Sequence, residues 1–108
     1  MNHSFQDAVS LELARRIAAQ LPQHPEWLDL ARQNIERWSQ RNSSVPSLLR
    51  CYSEWNDILM KPIEEIRAIL MAENGDGQRL RQNSPFAGVL SPAEVWEIKS
   101  RLRDRNLA

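Results

Sequence analysis

The sequence predicts an all-α fold in a single domain: an irregular bundle of about five short helices, with a long ordered loop before the last one. Three observations predict it. Apolar residues recur at spacings of three and four along most of the chain, which sets them on one side of a 3.6-residue helix. No run alternates with a period of two, so no strand is expected. Prolines and polar clusters fall between the periodic runs, where helices have to stop and start. At 108 residues the chain fits one domain, long enough to bury a core without a metal or disulfide.

The first helix is predicted over about residues 4–21. Phe5, Val9, Leu13, Ile17 and Leu21 recur every four residues, with Ala8, Ala14 and Ala18 beside them. Ser4 and Asp7 make a variant capping box at its start, and Pro22 ends it. The second begins at Pro25, whose missing N–H costs nothing at a first helical position. Glu26 and Asp29 suit the positive end of its dipole, and Trp27, Leu30 or Ala31, Ile35 and Trp38 form its buried stripe. Ser44 is the expected cap of the third helix, Pro46 lies in its first turn, and Leu48, Tyr52, Trp55 and Leu59 share a face. Lys61-Pro62 breaks the chain, and a short fourth helix turns Ile63, Ile66, Ile69 and Leu70 inward. "NGDG" (74–77) is expected to end that helix through a left-handed cap. About 16 residues of loop follow. The last helix has the clearest start, with Ser91 as N-cap, Pro92 at the first position and Glu94 closing a capping box. Val95, Ile98 and Leu102 make its stripe, with Trp96 at the edge.

Composition narrows the function classes. Fourteen basic residues balance fourteen acidic ones, so no overall charge draws the chain to nucleic acid or an anionic membrane. The balance is uneven along the chain: residues 1–78 carry a net −3 and residues 79–108 a net +3. Cys51 is the single cysteine, which excludes an intrachain disulfide and suits a reducing cytoplasm. The N-terminus lacks the basic and apolar regions of a secretory signal, and no apolar run is long enough to span a bilayer.

Few residues offer chemistry. His3, His24 and Cys51 are the only soft ligands, without the spacing of a zinc site. Cys51 borders the Leu48–Tyr52–Trp55 stripe, where a thiol is a small hydrophobe. "GDGQRL" lacks the lysine of a phosphate loop, and no strand precedes it as in a dinucleotide fingerprint. Glu64-Glu65 and Glu94 with Glu97 are explained by helix dipoles, capping and solvation. No catalytic set, cofactor or metal is expected.

The distinctive stretch is "RLRQNSPFAGVLSPAEVW", residues 79–96. Leu80 is expected inward, with Asp76 capping a short turn and Arg79, Arg81 and Gln82 outward. Phe86 and Leu90 are expected to pin the connection to the core. This stretch resembles a segment of small, mostly uncharacterised bacterial helical proteins of antitoxin-like type, some of them thought to be encoded beside toxin genes. The likeness covers mainly residues 78–98 and, more loosely, the earlier tryptophan-containing helices. It implies a protein that binds and neutralises a partner, and assigns no role to an individual residue.

Two functions from different classes follow. The first is a non-enzymatic interaction module that meets another protein, such as a toxin, through Arg79, Arg81, Gln82, Phe86 and Trp96. The alternative is a DNA-binding regulator whose contacts are Lys99, Arg101, Arg103 and Arg105 in the basic last helix. A helix-turn-helix around Lys61-Pro62 is disfavoured, because the recognition helix would begin with Glu64 and Glu65.

Overall fold

Each periodic run forms a helix, and a segment expected as loop forms a sixth. In a computed structural model, which describes residues 3–107, the elements are α1 (His3–Gln20), a 3₁₀ turn (Leu21–Gln23), α2 (Glu26–Arg41), α3 (Pro46–Leu59), α4 (Ile63–Leu70), α5 (Gly75–Arg81) and α6 (Pro92–Leu107). No strand occurs among the described residues. None of these helices is long and apolar enough to cross a membrane.

The predicted stripes are the buried ones. Val9, Ala14, Ile17 and Ala18 of α1, Trp27, Ala31 and Ile35 of α2, and Tyr52, Trp55 and Leu59 of α3 are all interior. Of the two candidates on α2, Ala31 is inside and Leu30 is exposed. Helix α1 is the central element and packs against α4, α5 and α6, while α2 and α3 pack together as a hairpin. The main core joins α1 to α5 and the segment before α6, with Trp55 and Phe86 at its centre in an edge-to-face pair 6.2 Å apart. A second, smaller cluster clamps α6 to the N-terminal half of α1 through Val9, Ile98 and Leu102.

Helix boundaries depart from expectation where the cap chemistry differs. Helix α1 already includes His3, so Ser4 falls within its first turn, and the Ser4 side chain lies outside the described residues. Pro25 precedes α2 as its N-cap rather than opening it. Val45, not Ser44, is the N-cap of α3: its carbonyl accepts from the Leu48 and Leu49 amides, and no side chain caps. Ser91 does accept from the Glu94 amide at 3.2 Å. The Glu94 carboxylate does not turn back to close the box. It accepts instead from Arg16 and Gln20 of α1, at 3.4 and 3.3 Å.

The largest correction concerns "NGDG". Asn74 starts a helix rather than ending one: its side chain accepts from the Gly77 amide at 2.8 Å, the cap geometry that satisfies a free N–H in a first turn. Asp76, the expected cap, lies instead 3.6 Å from Arg79. Helix α4 ends at Leu70 with Met71 as its C-cap, and no left-handed residue is involved. The loop before the last helix is thereby shortened to residues 82–91.

Arginines take over the work that glycine caps do elsewhere. The last carbonyls of a helix have no partner within it. Arg67 Nε donates to the Ala18 carbonyl near the end of α1 at 2.8 Å. Arg32 Nη2 donates to the Leu59 carbonyl of α3 at 3.3 Å. Arg81 Nη1 donates to the Leu70 carbonyl of α4 at 3.2 Å and also to that of Ala72. Each guanidinium comes from a different helix, so it neutralises the negative end of the dipole and ties two elements together.

Candidate functional site

Two surfaces stand out, a cleft and the outer face of α6. The cleft has a volume of 610 Å³ and opens between the α2–α3 hairpin and α1, with residues 81–90 along one wall. Its floor is apolar, from Leu13 and Ile17 of α1 to Phe86 and Leu90 of the connecting segment. An aromatic wall faces it, where Trp38 and Tyr52 lie tilted with centroids 5.9 Å apart.

Polar groups hold the wall in place. Asn34 is buried on α2, and its Nδ2 donates to the carbonyls of Pro85 at 2.9 Å and Ala87 at 3.2 Å. Its Oδ1 accepts from Arg37. Trp55 Nε1 donates to the Leu80 carbonyl at 3.1 Å. Asn42 Nδ2 donates to the Trp38 carbonyl and to the Tyr52 hydroxyl, which fixes the rim beside the aromatic wall. Gly88 turns the segment at φ +88°, in the left-handed region open to glycine.

The five residues expected at one partner surface are divided by the fold. Arg81 and Phe86 are interior, 7% and 1% exposed, so neither belongs to an outer surface. Phe86 fills the space beside Trp55, and Arg81 points its Nη1 at the end of α4. Arg81, Gln82 and Phe86 do come together, as parts of the cleft wall. Arg79 stays on the surface in a two-bond pair with Glu54, at 3.0 and 2.8 Å. That pairing raises the Arg79 pKa and holds the Glu54 carboxyl below its ordinary value. Trp96 is on α6, 70% exposed.

Helix α6 also carries the four cations expected for nucleic acid. Lys99, Arg101, Arg103 and Arg105 are all exposed. Arg101 reaches Glu97 at 3.9 Å, and the other three have no carboxylate within ion-pair distance among the described residues. Trp96, Lys99 and Arg103 follow one another at i, i+3 and i+7, which places them on one stripe of the helix.

Elsewhere chemistry is sparse. The Cys51 thiol is buried, and desolvation first and the Glu54 charge second push its pKa up, away from the thiolate. His24 stacks on Trp27 at 4.6 Å and pairs with Glu26. The His3 side chain lies outside the described residues. Among the described residues no group of three or more His, Cys, Asp or Glu is arranged to hold a metal ion.

Sequence inspection misses Asn34, Arg41 and Asn83 as parts of this region. Asn34 leaves one signal: it sits between Ala31 and Ile35 on an otherwise apolar stripe, where a polar side chain has to be hydrogen-bonded. Arg41 and Asn83 look like ordinary loop-flanking polar residues. Comparison with protein-family models, with curated protein sequences and with solved structures finds no match.

Proposed function

We propose that the chain is a non-enzymatic protein-interaction module, antitoxin-like in kind, that holds a partner protein against the outer face of α6. The observation that supports this reading is Trp96, 70% exposed on a helix whose inner side is fully packed through Ile98 and Leu102. A tryptophan gains by leaving water and is among the residues most enriched at binding hot spots. Lys99 and Arg103 flank it on the same stripe, so the complementary partner surface is apolar at its centre and acidic around it. Burial of the aromatic supplies affinity, and the cations steer the encounter.

The same cations favour the runner-up, a DNA-binding regulator in which Lys99, Arg101, Arg103 and Arg105 meet phosphates. The successive helices α3 and α4 do not add to it, since Glu64 and Glu65 stand exposed in the first turn of α4.

The two readings separate in one capture experiment. Tagged wild-type protein and Trp96→Ala are used as bait in native cell extract, with and without nuclease. A stoichiometric protein that survives nuclease and is lost with Trp96→Ala is the result expected of the interaction module. Recovery of nucleic acid, or of partners that vanish on nuclease treatment, moves the assignment to the regulator.

A further inference from the structure

We propose that the cleft between the α2–α3 hairpin and α1 is a binding site for a small organic anion with a planar apolar body, of the class of aromatic carboxylates. The site is distinct from the α6 face, and the two stand or fall separately. Its volume, 610 Å³, lies in the range of small-molecule pockets. The charge of its lining is one-sided. Among the described residues Arg41 and Arg81 contribute to the walls and no Asp or Glu does, in a chain that has as many acids as bases.

Neither arginine makes an ion pair with a carboxylate among the described residues, and the charges of Asp7 and Glu73 reach Arg81 only from further off. Arg41 is exposed at the C-terminal end of α2, with no acid within ion-pair distance among the described residues. Arg81 is 7% exposed, and its Nη1 is committed to two main-chain carbonyls. Its Nε, buried as well, has no hydrogen-bond partner among the described residues. A buried donor left unmade costs free energy, and a cation out of water gains from a counter-charge nearby. An anion in the cleft supplies that charge.

The other walls describe the rest of the ligand. Trp38 and Tyr52 line one side with aromatic surface, and Leu13, Ile17 and Leu90 supply aliphatic surface. Between such surfaces a flat ring buries most of its area. Gln82, exposed beside the cleft, carries an amide donor that suits a carboxylate's second oxygen.

Titration calorimetry and amide NMR on the full chain, with 2-naphthoate and its neutral counterpart 2-naphthamide, test the assignment. The expected result is saturable binding of 2-naphthoate with shifts at the Asn83, Gly88 and Leu90 amides. 2-Naphthamide should bind about tenfold more weakly or less, since it lacks the charge-assisted bond. Arg41→Ala, at an exposed position away from the core, should weaken naphthoate by roughly fivefold and leave naphthamide unchanged. Ser10→Trp, which fills the cleft from α1, should abolish both. The proposal is overturned if naphthoate gives no shifts up to millimolar concentration, if acid and amide bind equally, or if the shifts map outside the cleft.

Discussion

Asn34 and Pro85 are 51 residues apart in sequence, and the Asn34 side-chain amide donates to the Pro85 carbonyl at 2.9 Å inside the protein. The bond joins the middle of α2 to the segment before α6. With the second bond to Ala87 it fixes the backbone on both sides of Phe86, the residue that completes the core around Trp55. A connection without regular structure is thus made rigid by one buried polar side chain.

Asn34→Ala leaves the buried Pro85 carbonyl and the part-buried Ala87 carbonyl without their side-chain donor and should cost about 1–3 kcal/mol in urea unfolding. Amide exchange should accelerate most at residues 86–90. Asn34→Asp should be no better, because a carboxylate cannot donate to a carbonyl. Wild-type stability in both variants would show that Phe86 alone holds the segment.

Arg81→Met removes the guanidinium from the end of α4 and should destabilise the fold by about 1.5–3 kcal/mol. Arg67→Met, which frees the Ala18 carbonyl, should act in the same direction. Arg50 is exposed and makes no ion pair among the described residues, so Arg50→Met should stay within about 0.5 kcal/mol of wild type. Chemical denaturation of the three variants separates the capping arginines from a surface one. Charge reversal at Arg81 is for the same reason a folding mutation and not a probe of partner binding.

The glycines of α5 should respond in opposite ways to alanine. A Cβ on Gly77 would run into the Ala72 carbonyl, with its carbon atom at 2.7 Å. Gly77→Ala therefore has to push α5 away from the end of α4, and a drop in melting temperature is expected. A Cβ on Gly75 meets nothing within 4 Å. Gly75→Ala should stabilise by about 0.4–1 kcal/mol through the unfolded chain.

Glu54 links stability to pH. Its hydrogen bonds from Arg79 depress its pKa in the folded state, so the stabilisation is present above the unfolded-state value. It is lost as pH falls through the folded-state value. Glu54→Gln should accordingly be less stable than wild type at neutral pH, and the difference should vanish in acid. The pair is solvent-exposed, so added salt should shrink the neutral-pH difference. A gap that persists below the carboxylate range would mean that Glu54 contributes through packing.

Trp55 and Trp96 provide the sharpest contrast. Trp55 is completely buried and Trp96 is 70% exposed. Trp55→Ala should cost about 3–5 kcal/mol, and it leaves the Leu80 carbonyl to backbone donors such as the Asn83 amide. Trp96→Ala should change stability by less than about 0.5 kcal/mol. If Trp96→Ala unfolds the protein, the outer face of α6 is not a free surface.

The sequence alone determined the helical class, the inward stripes of all the long helices, and the Ser91 start of α6, because these follow from local spacing and local caps. Leu80, Phe86 and Leu90 were legible as anchors for a similar reason: in a connection of mostly small and polar residues they are the large apolar side chains, and burying them is favourable. The candidate site was legible only in fragments. Trp96 was marked by its position at the edge of a stripe, but nothing local distinguished Arg79 from Arg81, two residues apart and alike in type. Only the tertiary structure separated them, by bringing Glu54 to one and the carbonyls of Leu70 and Ala72 to the other. It also made "NGDG" a beginning rather than an end, with Gly77 held so close to the Ala72 carbonyl in the link after α4 that a side chain has no room there. A charge or a glycine is defined by what the rest of the chain places beside it, and that information is not carried by its neighbours in sequence.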